Sequence, residues 1–202
     1  NEICDKIAVD AARGSGHAWG AAMKGQQSHL RTRIPSEGMN YKGYNIAVHE
    51  FGHNVEQTIS MYNVDNFMMA GVPNTAFTEA LAFVFQKRDL QLLGIENNDP
   101  EKDKLDILDK FWSLYEIMGV SMLDISVWEW MYAHPDATAE QLKEATITLS
   151  KEIWNKYYAP VFGKKDETVL AIYSHMISYP LYLSAYAFGQ IIEFQLEDYL
   201  NG

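Results

Sequence analysis

Cysteine is nearly absent from this 202-residue chain: Cys4 stands alone, so no internal disulfide can form and no site built from several thiolates is possible. Its expected role is packing in the core. Basic residues are also few, with 16 Lys and Arg against 27 Asp and Glu and a formal net charge of -11. Neutralising a phosphate backbone needs clustered cations, so a general nucleic-acid binder is excluded. No hydrophobic run approaches the roughly 20 residues of a membrane span, and the N-terminus lacks a basic stretch followed by an apolar secretory segment. There remains an acidic chain, 48% hydrophobic, that reads as soluble and long enough to bury the core of one domain.

The chain begins at Asn1, and Ile3, Ile7, Ala8, Ala11 and Ala12 follow helical spacing, as though a helix were entered partway. We read residues 1–202 as a single domain or subdomain, the C-terminal portion of a longer protein. Residues 15–43 carry turn formers between short apolar pieces around Ala18 to Met23 and Leu30 to Ile34, and read as strands and loops. From Tyr44 the pattern turns helical to about Tyr62. Asn74 looks like the cap of a second helix bearing Phe77, Leu81, Val84, Phe85 and Leu92. Asn98, Asp99 and Pro100 precede an amphipathic stretch from Leu105 to Met118, and Gly119 and His134-Pro135 bracket a further segment. Residues 138–158 and 168–200 complete a mainly helical series.

Within the first long helix lies His49-Glu50-Phe51-Gly52-His53, an HExxH motif. Residues four apart share a helix face, so two imidazoles converge on one ion while the glutamate between them reaches a water on it. Three fixed letters recur by chance, and the setting carries the weight: Tyr44, Ile46, Ala47, Val48 and Phe51 make the helix half-buried, where polar atoms need partners. One zinc ion suits this chemistry, lowering the pKa of water towards about 7. A metzincin would need Gly at position 56 and His at position 59, which are Glu56 and Ile59. The expected third ligand is Glu79, on the next helix among small and apolar neighbours; the competing reading is an exposed first-turn glutamate favoured by the helix dipole. Asn54 and Gln57 are candidates to orient the ligands. His29 and His134 have no ligand-spaced partner and read as surface or hydrogen-bonded histidines.

With His49, Glu50, His53 and Glu79 assembled, the chain resembles a gluzincin of the thimet oligopeptidase and oligoendopeptidase F family, with likeness to angiotensin-converting enzyme. GSGHAWGAAM at residues 14–23 resembles that family's substrate-binding edge strand; MNYKGYNIAVHEFGHNVEQ and AGVPNTAFTEALAF resemble the segments bearing its metal ligands. HMISYPLYLSAYAFGQIIEFQ at residues 175–195 resembles its C-terminal His-and-Tyr segment. The resemblance implies a zincin-like, mainly α catalytic domain with a small edge-strand β region near the N-terminus. It implies a zinc metallopeptidase acting on short peptides, with Glu50 as general base and His175 and Tyr186 stabilising the oxyanion. His17, Ala18, Trp19 and Gly20 would hold substrate as an added strand. Tyr179 and Tyr182 are candidates for substrate contact, or equally for an aromatic face packed in the core. A cytoplasmic location is the family's expectation. Phe83 and Tyr173 stand where angiotensin-converting enzyme has an aspartate and a lysine, so removal of C-terminal dipeptides is not expected.

Two other readings are open at this level. One is an inactive peptidase fold that binds zinc and peptides without cleavage. The other is a metal-free helical module with a partner surface of Trp112, Trp128, Trp130 and Trp154, although aromatics at helical spacing are more often core.

Overall fold

Asn40 begins the first long helix, its side-chain oxygen accepting the Gly43 N–H at 2.9 Å and so satisfying a donor that helix geometry leaves open. Helix α1 runs Tyr41–Asn63, three residues earlier than the apolar pattern suggests. The structure, a computed structural model, describes residues 3–69, 74–96 and 99–201. The expected turn residue Asn98 and the first four residues of AGVPNTAFTEALAF lie outside them.

The chain is mainly helical, with one small sheet near the N-terminus, as expected. Strands β1 (Ile7–Val9), β2 (His17–Trp19) and β3 (Ser28–Arg31) lie in the order β1-β3-β2, with β1 parallel and β2 antiparallel to β3. The helical reading of Ile3 to Ala12 is corrected: a 3-10 turn at Cys4–Lys6 leads into β1. Ile7 pairs with Ser28 and Val9 with Leu30, and a ladder to a distant strand outweighs a weak local period, the more so for β-branched residues. Cys4, on that turn, is exposed rather than packed in the core.

Helix α1 is tied to this sheet by Asn54, which is fully buried and whose amide nitrogen donates to the His29 carbonyl at 3.1 Å and to Gln57 Oε1 at 3.0 Å. Asn54 and Gln57 therefore serve the helix-sheet seam, not the metal ligands. Helix α2 (Thr75–Gln86) starts where expected, with Asn74 accepting the Ala76 N–H at 2.9 Å, but it ends before the separate short helix α3 (Asp89–Leu92). At Gly52 of α1 an added Cβ would stand 2.8 Å from Ala82 Cα and 3.0 Å from Phe85 Cβ, so α1 and α2 touch where only a glycine fits.

The chain divides into two compact units, Asn1–Lys102 with Phe188–Gly202, and Asp103–Ala187. In the second, Gly119 does not end a helix: α4 runs unbroken from Lys102 to Ala133. Helices α5 (Ala139–Tyr157), capped by Thr138, and α6 (Ala159–Phe162) follow. Tyr158 reaches into the ladder of α4, accepting the Gly119 N–H at 2.9 Å and donating to the Tyr115 carbonyl at 2.5 Å. A Cβ at Gly119 would stand 2.1 Å from that hydroxyl oxygen. Val120, Leu123, Ile153, Tyr158, Leu170 and Leu183 form the core of this unit. Trp112, by contrast, is exposed. The expected helix over 168–200 is interrupted: a 3-10 turn (Val169–Ile172) and short α7 (His175–Ser178) precede α8 (Leu183–Asn201). The break falls at Pro180 and at Leu181, whose left-handed backbone (φ 63°) is held by its N–H donating to the buried Asp124 carboxylate at 2.8 Å.

Gly52→Ala and Gly119→Ala should each destabilise the protein. Alanine gains about 1 kcal/mol of helix propensity, and overpacking against backbone or a buried hydroxyl outweighs it, for a net loss of about 1–3 kcal/mol in the unfolding free energy measured by urea titration.

Candidate metal centre

Two features of the helix pair bring distant residues together. The i, i+4 spacing stacks His49 and His53 on one side of α1, their rings 4.8 Å apart and nearly perpendicular. The close approach at Gly52 then delivers Glu79, from the second turn of α2. His49 Nε2 lies 3.4 Å from Glu79 Oε2, and His53 Nε2 lies 3.5 Å from Glu79 Oε1. The reading of Glu79 as an exposed first-turn residue is excluded, since it is 1% exposed. Across the helix, a Cβ at Gly189 of α8 would stand 2.8 Å from Glu79 Cβ, so a second glycine clears room for the carboxylate's backbone.

The electrostatics follow from this packing. Burial raises the Glu79 carboxyl, but hydrogen bonds from His49 and His53 and their charges outweigh it and hold the group down at about 2. Burial likewise lowers His53, and the hydrogen bond and charge of Glu79, with Glu50 and Glu56 adding, reverse the sign and raise it. Glu50 is raised, chiefly by burial and also by the Glu79 charge, against the opposing pull of the histidines and of the Ala18 N–H.

That Ala18 N–H belongs to β2, and a Cβ at Gly16 would stand 3.3 Å from Glu50 Oε1, so the general-base candidate lies against the edge strand. Of the residues expected to hold substrate, His17, Ala18 and Trp19 form β2, which among the described residues pairs with β3 and lies at the edge of the sheet. Gly20 packs beside Gln57. His175 and Tyr186 belong to the second unit and are neighbours there, Tyr186 Oη standing 3.3 Å from His175 Nε2. Tyr179 and Tyr182 surround the same imidazole, with centroids 6.1 and 6.3 Å from it. Neither tyrosine is fully buried, and Tyr179 is 51% exposed, so it is not a core residue. His29 pairs with Asp10 at 2.9 Å and His134 with the Trp130 carbonyl at 2.8 Å, ordinary hydrogen-bonded histidines as expected.

His49, His53 and Glu79 are the one group of three or more such side chains among the described residues that could hold a metal ion, their ligand atoms all lying within 4.8 Å of one another. Two donors about 2.1 Å from a tetrahedral ion stand about 3.4 Å apart, the spacing of each imidazole from Glu79. Two imidazole nitrogens and one carboxylate suit zinc in its catalytic form, with a fourth position left open. Sequence reasoning missed the partner behind His49. Phe83 puts only a ring there, 4.9 Å away, and Gln86, one turn further along α2, accepts at 3.0 Å from the Nδ1 side. The seven-residue spacing from Glu79, two turns on one face, was the available signal.

Compared with protein families, curated proteins and solved structures, the chain finds no match.

Purified protein loaded with zinc and dialysed should retain about one ion per chain by elemental analysis. Glu79→Ala or His53→Ala should strip it under the same dialysis, with helix content by circular dichroism unchanged.

Proposed function

We propose that this chain is the catalytic part of a zinc metallopeptidase of gluzincin type, acting on short peptides. What supports the reading is one juxtaposition: Glu50 lies between the two candidate imidazole ligands in sequence and against the edge strand β2 in space, hydrogen-bonded to Ala18. A strand at the edge of a sheet can pair with a peptide backbone, and so aligns a peptide bond beside a carboxylate with little demand on side-chain identity.

When bound, zinc supplies Lewis acidity, lowering the pKa of water and polarising a carbonyl. His49, His53 and Glu79 would hold it. Glu50 takes a proton from water as the oxygen attacks the peptide carbonyl carbon, then returns that proton to the leaving amine as the carbon–nitrogen bond breaks. Burial raises this carboxylate's pKa, making it a stronger proton acceptor than a solvated glutamate. Strand β2 orients the substrate. Oxyanion stabilisation falls, on the resemblance, to His175 and Tyr186, whose imidazole and phenol are hydrogen-bond donors. No helix among the described residues is long and apolar enough to cross a membrane.

The zinc-loaded chain should cut a mixed peptide library, read by mass spectrometry, and stop cutting when a chelator is added. Glu50→Gln should keep its zinc and lose about 10²–10⁴-fold in kcat/KM. Full activity in that variant would sink the assignment, and an inert parent that still binds zinc and peptides would point to a binding protein on a peptidase fold.

A further inference from the structure

Behind His49, the side chains of Gln86, Asn45 and Asp89 form a line, and the direction of hydrogen bonding along it is not free. Asp89 is buried. The Tyr41 hydroxyl and the Asn45 amino group both donate to its Oδ2 at 2.6 Å, and the Leu90 N–H donates to its Oδ1 at 2.5 Å. A carboxylate has no hydrogen to give, so Asn45 must turn its amino group towards Asp89 and its oxygen away. That oxygen accepts the amino group of Gln86 at 2.5 Å. Gln86 is then left with its own oxygen facing His49 Nδ1 at 3.0 Å. A ring nitrogen facing a carbonyl oxygen carries the hydrogen, so Nδ1 is the donor on this side and Nε2, the atom 3.4 Å from Glu79, is the one left to face an ion.

We propose that Asp89, acting through Asn45 and Gln86, selects the tautomer of His49 whose Nε2 is free to bind a metal ion. This rests on the metal-site reading above, yet the Nδ1 hydrogen that faces Gln86 is there with or without an ion. Asp89, Asn45 and Gln86 are positioning residues: none is a ligand, and each transmits only which atom donates. Tyr41 agrees with this polarity, its phenol pushed up to about 12 chiefly by the hydrogen bond to Asp89, so it too remains a donor. The Tyr44 hydroxyl donates to the Asp89 carbonyl at 2.8 Å and helps hold the residue in place.

Asp89→Asn tests the direction of the line. The Leu90 N–H cannot turn, so it keeps the new amide's oxygen, and the amino group faces Asn45. Asn45 and Gln86 then flip in turn, an amino group meets His49 Nδ1, and the ring hydrogen moves to Nε2. Nitrogen-15 NMR of the metal-free chain should show a hydrogen on Nδ1 in the parent and none there in the variant. Zinc affinity, measured by chelator competition, should fall about 10–100-fold.

Adding Gln86→Glu to Asp89→Asn puts an acceptor beside Nδ1 again, while Asn45 donates to the new carboxylate and accepts from the new amide. The parent tautomer and the zinc affinity should both return. Parent tautomer in Asp89→Asn would overturn the proposal, as would a double variant no better than the single. If Asp89→Asn does not fold, Gln86→Leu and Gln86→Glu decide: the glutamate should keep the Nδ1 hydrogen and the leucine lose that preference, and identical tautomers in the two would count against it. A parent that bound no zinc would remove the metal-site reading, and the NMR comparison would still decide the tautomer.

Discussion

The close approach of α1 and α2 at Gly52 is the constraint on which the candidate centre depends. A residue with a Cβ at that position would press on Ala82 Cα and Phe85, and the two helices would have to separate. His49 and His53 flank Gly52 in sequence, and Glu79 precedes Ala82 by three residues, so the contact sits at the level of the ligand atoms. Close packing there sets the 3.4 and 3.5 Å separations between imidazole and carboxylate. Gly189 repeats the device on the far side of α2, where α8 passes Glu79.

Bringing these groups together takes them out of water, and the centre answers that cost in two ways. The first is mutual: Glu79 is held well below the ordinary carboxylate range by the two histidines, and its charge in return raises His53. The second is the supporting polar line through Gln86, Asn45 and Asp89, which ends at a carboxylate with three donors on it. Each amide in the line uses its oxygen in one direction and its nitrogen in the other, so a half-buried row of polar groups is satisfied with a single polarity.

The second unit is organised by a similar substitution of side chain for backbone. The Tyr158 hydroxyl enters the α4 ladder between the Gly119 N–H and the Tyr115 carbonyl, so the helix continues through a glycine that local rules read as a boundary. Leu181 shows the converse. Its left-handed backbone breaks what the spacing presents as one long helix, and buried Asp124 accepts its N–H, leaving His175 and Tyr186 on opposite sides of the break yet within 3.3 Å.

Features set by neighbours in sequence were legible without coordinates. The pairing of His49 with His53 on one helix face, a helical run from Tyr44 to about Tyr62, the cap at Asn74 and the predominance of helix all follow from i, i+4 geometry and local hydrogen-bond supply. Glu79 was legible as a candidate because its neighbours are small and apolar. What depended on residues far apart was not legible. Strand β1 exists because Ser28 to Leu30 pair with it, the uninterrupted α4 because a tyrosine 39 residues away fills a rung, and the polarity behind His49 because Gln86 and Asp89 arrive from other helices. Local periodicity determines which side chains a helix can present together; only tertiary packing decides which partner meets them, because a hydrogen bond needs a particular donor and acceptor within about 3 Å and sequence spacing places neither.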